Sequence, residues 1–344
     1  MEVAAGEPIR VQTLSQLTKP SQIPSQYIQP PETRPDPTPS PTTTKAIPSI
    51  SLGSHRDVTL LRREIGEACR DWGAFHVTDH NVPIKLLNDM RNNGRSFFEK
   101  RGVEDKMKYS CDSNLPASEG YGSRMLVESN ETVLDWRDYF DHHTRPVSRR
   151  NPLKWPETPS NYREVVAEYS DRMHALAQKL LCLISESLGL PSSCIEEAVG
   201  EFYQNITVSY YPPCPQPELT LGLQSHSDMG CITLLIQDDV GGLQVLKDGQ
   251  WITVHPVSDA IVVILADQTE VITNGQYRSA IHRAITNANR ARLSVATFHD
   301  PAKTMTISPV IHPPRYKQVN YGDYVSLWYT KGPDGKRNID ALQI

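Results

Sequence analysis

Gln224-Ser-His226-Ser-Asp228-Met-Gly230 and, further on, His282-Arg-Ala-Ile-Thr-Asn-Ala-Asn-Arg-Ala-Arg292-Leu-Ser294 bracket the region on which the reading of this chain turns. Between them run short apolar segments at 231–236, 242–246, 251–254 and 260–265, rich in Ile, Val, Leu and Thr and separated by turn residues. That pattern predicts a succession of short buried strands. Strand side chains alternate, so His226 and Asp228 would share a face. By itself the pair says little, because a His and an Asp two apart usually do no more than hydrogen-bond in a loop.

The rest of the stretch changes that reading. His282 follows Asp228 by 54 positions, at the start of another strand-like run, and adds a second imidazole. Two imidazoles and one carboxylate on one side of a metal ion leave its other side open, the ligand set of a non-haem Fe(II) oxygenase site. Arg292 and Ser294 lie two apart and would also share a strand face. A guanidinium is a rigid fork matched to a carboxylate, and a neighbouring hydroxyl can hold the second oxygen. An arginine set among Leu293, Val295 and Ala296 needs an anionic partner, which a diacid cosubstrate would supply.

With Tyr210-Tyr-Pro-Pro-Cys-Pro-Gln-Pro217, Gly242-Leu-Gln-Val245 and Asn274-Gly-Gln-Tyr-Arg-Ser279, the stretch resembles the catalytic core of the plant 2-oxoglutarate- and Fe(II)-dependent dioxygenases. This is the broad group of anthocyanidin synthase, flavonol synthase and the jasmonate oxidases, and the resemblance runs from about Ile47 to the C-terminus. It implies an α+β fold: a double-stranded β-helix (a distorted jelly-roll) core, with supporting N-terminal helices and a C-terminal helix. It implies that His226, Asp228 and His282 are the catalytic residues and bind Fe(II). Arg292, Ser294 and Tyr211 would bind 2-oxoglutarate as cosubstrate, with O2 as oxidant and ascorbate as a stimulating reductant. The substrate, a small plant metabolite, would be oxidised, foremost hydroxylated, with release of succinate and CO2. Desaturation and demethylation stay open. Two departures stand out: Ser209 replaces a usual asparagine, and Asp79-His80-Asn81 replaces Asn-His-Gly.

Length and composition agree with an enzyme of this size. The 344 residues suffice for one large domain or two modest ones. A net charge of −5 with mixed signs gives no reason to expect nucleic acid or an anionic membrane as partner. The six cysteines, at 69, 111, 182, 194, 214 and 231, include no C-x-x-C pair. They fit neither a disulfide framework nor a zinc-thiolate site and suit a reducing compartment. With no signal-peptide pattern and no long apolar run, the expectation is a cytoplasmic protein, monomeric, whose partner is a small-molecule substrate.

The chain divides into four expected parts: a flexible proline-rich segment 1–46, a mixed helix/strand region 47–200, the jelly-roll catalytic core 201–312 and a C-terminal helical segment 313–344 over the active site. The segment 30–44 has a composition that cannot pack a core and reads as a linker rather than an adaptor-domain ligand. Asp57 should cap a helix running to about Trp72, with Leu60, Leu61, Ile65 and Cys69 on one stripe. A helix from about Asn161 to Leu188, with Asn161 and Glu164 as a capping pair, reads as a brace against a sheet. His76 and His80 lie off the metal pattern and read as structural.

The expected substrate is a small, largely neutral phenolic or flavonoid-like compound. In relatives that oxidise jasmonate, arginines hold the substrate carboxylate; by approximate alignment this chain has Thr207, Val325 and Tyr329 there. A buried carboxylate without a partner is costly. Tyr139, Asp141, Thr207, Phe298 and Tyr329 are the candidate substrate residues, the aromatic ones for ring stacking. A carboxylate-bearing hormone such as jasmonate is the alternative, if Arg124 or Arg137 supplies a pocket cation. A catalytically silent ligand-binding barrel and a zinc hydrolase are the remaining readings; the hydrolase needs no Arg-x-Ser clamp.

Overall fold

The computed structural model describes residues 10–17, 22–36, 45–112, 118–123, 133–331 and 338–344, with the side chains of 328–331 outside that set. The chain starts with a short helix α1 (Val11–Leu17), then β1 (Ser49–Ser51), α2 (Val58–Asp71), β2 (Ala74–Thr78), α3 (Ile84–Lys100) and α4 (Val103–Met107). Next come β3 (Gly120–Gly122), β4 (Asp138–Arg145), the long α5 (Tyr162–Ser187) and α6 (Cys194–Val199). The catalytic half runs β5 (Phe202–Tyr211), β6 (Leu223–His226), β7 (Ile232–Gln237), β8 (Leu243–Lys247), β9 (Gln250–Thr253) and β10 (Ile261–Leu265). It continues with α7 (Asp267–Ile272), β11 (His282–Ala284), β12 (Arg292–Pro301), β13 (Thr306–Ile307), β14 (Val319–Asn320) and α8 (Tyr321–Lys331).

Two sheets make the core, a large one in the order β1-β2-β10-β7-β12-β5-β4-β3 and a small one in the order β6-β11-β8-β9. Apart from the parallel β1–β2 edge, every pairing in them is antiparallel. This is the expected jelly-roll, an α+β fold. α2, α3 and α5 cover the outer face of the large sheet, burying Leu61, Ile65, Met90, Phe97, Tyr169, Met173 and Leu180 in one cluster with Ile206, Val208, Leu293 and Val295. Gly94 lets α3 approach closely: a Cβ there would lie 2.7 Å from Cγ1 of Val208. Asp57 caps α2 as expected, accepting from the amides of Thr59 at 2.7 Å and Leu60 at 3.0 Å.

Several expectations need correction. The segment 1–46 is not free of packing. Val11, Ile23 and Tyr27 are buried with Trp136 and Cys214, and the Tyr27 ring meets Trp136 edge-on at 5.2 Å. The physical reason is that a few apolar residues, spaced by prolines, suffice when a preformed barrel wall receives them. Asn161 precedes α5 without a side-chain cap bond. The tail turns helical only at Tyr321, after the β13–β14 hairpin pairing, not from Pro313. The Asp79-His80-Asn81 turn holds Asp79 and Asn81 at φ 51° and 62°. Asn tolerates that left-handed backbone, which accounts for it where glycine is usual. His80 is structural, its Nε2 2.9 Å from the Asp259 carbonyl and its Nδ1 accepting from the Val82 amide at 3.1 Å.

Candidate active site

His226 closes β6, and Asp228 lies beyond the strand's end, so the two are joined by irregular chain rather than by strand alternation. β11 pairs with β6 so that His282 stands opposite His226, with ring centroids 4.3 Å apart. Nε2 of His226 and Nε2 of His282 lie 3.5 and 3.7 Å from Oδ1 of Asp228. The three ligand atoms fall within 4.8 Å of one another. Each Nδ1 faces a main-chain carbonyl, Gln224 at 2.8 Å for His226 and Ala280 at 3.1 Å for His282. Those carbonyls favour protonated Nδ1 atoms and leave both Nε2 lone pairs for a metal. Thr233 donates to Oδ2 of Asp228 at 2.6 Å, which turns Oδ1 toward the imidazoles. Burial works to raise the Asp228 carboxyl, but His282 and His226 outweigh it and hold it down at about 2. Burial, and then His226, lower His282 to about 4. Burial opposes protonation of His226 as well, yet Asp228 raises it. The donor set fits one Fe(II) ion.

The register of the large sheet builds the other end of the site. On β12, Arg292 lies opposite Tyr211, and Ser294 lies opposite Ser209 on β5 and Gln237 on β7. Arg292 is 2% exposed. Nη1 donates to Oγ of Ser294 and Nη2 to Oε1 of Gln237, both at 3.3 Å, and the group lies 4.7 Å over the Tyr211 ring. Nε has no partner. A buried cation held by neutral groups, with an orphaned N–H, fits the distal carboxylate of 2-oxoglutarate. Tyr211 feels that charge: burial would raise its phenol, but Arg292 and then Arg137 pull it below its ordinary value. The sequence pattern missed Gln237 and Thr233; no local spacing marks them, since only pairing with β12 and packing on Asp228 bring them in.

A cavity of about 630 Å³ extends from this clamp past the triad, and Asp141, Thr207, Phe298, Leu235, Val325 and Arg137 are among its lining. Tyr139 does not line it; that ring lies under the Arg137 guanidinium, 5.6 Å away. The physical reason is that its hydroxyl lies against Cys111, 3.8 Å from Sγ. Arg137, 4% exposed, donates from Nη1 to Oγ of Ser209 at 3.3 Å and places Nε 3.9 Å from Oδ2 of Asp135. Thr207 donates to Oδ1 of Asp141. Tyr329 lies on α8 with its side chain outside the described residues, and Arg124 is outside them altogether.

Comparisons with known proteins give the family. A family model described as 2OG-Fe(II) oxygenase superfamily matches residues 202–301, and one described as non-haem dioxygenase in morphine synthesis N-terminal matches 47–158. Jasmonate-induced oxygenase 2 of Arabidopsis thaliana is 39% identical over 355 residues, covering 97% of this chain and 93% of that protein. Naringenin,2-oxoglutarate 3-dioxygenase of the same plant is 40% identical over 307 residues, covering 87% and 84%. The crystal structure of JOX2 in complex with 2OG, Fe, and JA matches with a TM-score of 0.90 at 37% identity, covering 98% of each chain. On this similarity, and with a histidine–aspartate–histidine cluster facing a buried arginine clamp, the chain belongs to the 2-oxoglutarate- and Fe(II)-dependent oxygenases.

Proposed function

We propose that this dioxygenase hydroxylates a small, largely neutral phenolic of flavonoid type, with succinate and CO2 as co-products. As a member of its family it is an oxidoreductase using Fe(II), 2-oxoglutarate and O2. His226, Asp228 and His282 would hold the iron. Arg292 and Ser294, with Tyr211 and Gln237 beside them, would grip the cosubstrate's distal carboxylate. When bound, the metal and cosubstrate together supply the oxidising chemistry. The chain's own part is to hold Nε2 and Oδ1 lone pairs on one side, orient the diacid and keep the cavity poor in water.

The observation that supports the substrate class is the wall beyond the clamp. Thr207 and Val325 bring no cation to it, Phe298 and Leu235 offer apolar contact, and Asp141 points an acceptor into it. A carboxylate placed there would meet a like charge, whereas a phenol would present a donor. A cavity of this size accommodates the cosubstrate together with a fused-ring molecule. One observation favours a second reading, a carboxylate-bearing hormone such as jasmonate: Arg137, Arg149, Lys154 and Lys303 line the same cavity, and the similarity to JOX2 is end to end. The proposal extends to a monomer in the cytoplasm, supported by free thiols at all six cysteines and, among the described residues, by few large apolar side chains left exposed.

Anaerobic reconstitution with Fe(II) and 2-oxoglutarate tests the site. The wild type should show the visible charge-transfer band, His226→Ala should lose it, and Arg292→Ala should need far more 2-oxoglutarate. Turnover of naringenin and of jasmonic acid, followed as succinate release, then tests the substrate. Preferential oxidation of jasmonic acid would overturn the phenolic reading, and absence of the band in wild type would overturn the assignment of the site.

A further inference from the structure

Asp141 is a buried carboxyl, 6% exposed, on the cavity wall. Register puts it opposite Thr207, which in turn lies opposite Ala296. It therefore occupies the row of the sheet next outward from Ser209 and Ser294, where the cosubstrate clamp ends. Among the described residues the Thr207 hydroxyl is its one hydrogen-bond donor, to Oδ1, and no cationic nitrogen pairs with it within 4.0 Å. A carboxylate has about four lone-pair sites, so most of its acceptor capacity is unmet. Thr207 has spent its single proton on Asp141, so it too can only accept. Side by side, the two residues turn an acceptor-only patch toward the cavity, flanked by the apolar surfaces of Ala296, Leu235 and Phe298. Burial lifts the Asp141 carboxyl to about 6, against Thr207 and Arg137, which leaves the anion prevalent at neutral pH.

We propose that the Asp141–Thr207 pair selects the primary substrate by accepting a hydrogen bond from one of its phenolic hydroxyls. Asp141 is thus a specificity-determining residue outside the iron ligands and the cosubstrate clamp. The inference rests on the phenolic reading above and sharpens it: the substrate must carry a free hydroxyl at the position that meets the pair. Loss of that donor leaves a buried carboxylate facing an ether or a hydrogen, which is costly.

The test is calorimetric binding to the anaerobic enzyme loaded with Fe(II) and 2-oxoglutarate. The probes are naringenin, its three mono-O-methyl ethers and jasmonic acid, and the charge-transfer band is the control for an intact site. Wild type should bind naringenin roughly 10- to 100-fold more tightly than one of the three ethers and show much smaller differences for the other two. Asp141→Asn should reduce that one discrimination to about 3-fold or less, and Thr207→Val should fall between. Discrimination that survives unchanged in both variants would overturn the role of the pair while leaving the phenolic reading in place. Tighter binding of jasmonic acid than of any flavanone, or no flavanone binding to wild type, would overturn the phenolic reading and the inference with it.

Discussion

Thr233 neither ligates in the proposed metal set nor belongs to the clamp, yet it decides which oxygen Asp228 presents. Its hydroxyl occupies Oδ2, and Oδ1 is left toward both Nε2 atoms. Partners of this kind commonly carry a 10- to 100-fold share of metal affinity. Thr233→Val keeps the shape and removes the donor, so Fe(II) affinity should fall by about that factor, read by anaerobic titration of the charge-transfer band. An affinity equal to wild type would show that Asp228 needs no such support. The contrast with the triad is instructive. His226 and Asp228 stand two apart, and together with His282 and the Arg292–Ser294 pair they form a pattern that the sequence exposes. Thr233 is one threonine in the apolar run 231–236, and its role exists only because the following strand folds back past Asp228.

Among the elements, α3 shows how packing on the outer face supports the inner one. Gly94 sits where the helix meets the backs of β5 and β12, and an added Cβ would be 2.7 Å from Val208 and 3.3 Å from Leu293. Gly94→Ala should therefore destabilise the fold by about 1–3 kcal/mol through overpacking, despite alanine's better helix propensity. Chemical denaturation would measure it, and a neutral or stabilising result would mean the helix shifts freely. On β4, His142 is fully buried, its Nδ1 2.9 Å from the Ile206 carbonyl and its Nε2 3.0 Å from the Tyr162 hydroxyl of α5. Burial, assisted by His143, lowers its pKa to about 4. The unfolded chain would take up the proton near 6.5, so between these values the unfolded state binds more protons. The stability His142 contributes is thus present above pH 6.5 and lost as pH falls toward 4, by up to about 3 kcal/mol. His142→Gln should flatten the fall in unfolding free energy over pH 6.5–4.5. An unchanged slope would place the acid sensitivity elsewhere.

At the scale of the whole molecule, the N-terminal segment acts as a strap on the cavity wall. Asp138 accepts from the amides of Val11 at 2.8 Å and Gln12 at 2.9 Å, and the Gln26 carbonyl accepts from the Leu134 amide at 2.8 Å. The strap thereby fixes the connection that brings Leu134, Asp135 and Arg137 to the cavity. Removing residues 1–36 should lower Tm by roughly 5 °C or more, from lost burial of Val11, Ile23 and Tyr27. It should also raise KM for the primary substrate more than that for 2-oxoglutarate, because Arg292 and Ser294 stand on β12, away from the strap. Equal effects on both would show that the strap serves stability alone.

The sequence by itself determined the family, the jelly-roll class, the iron ligands as candidates and the Arg-x-Ser clamp. The iron ligands and the clamp were legible as residue types in a linear pattern, and the family resemblance carried by that pattern implied the jelly-roll class. The sequence also carried the cap of α2, because Asp57 and the amides it receives are neighbours in the chain. Only the tertiary structure decided that Gln237 joins the clamp and that Asp141 pairs with Thr207. These depend on which strands are neighbours and in what register, and pairing over some 50 to 70 residues leaves no periodic trace in either partner. The docking of 10–17 and 22–36 was hidden for the same reason: proline and polar residues describe the strap, while the wall that receives it, around Trp136 and Cys214, comes from the middle of the chain.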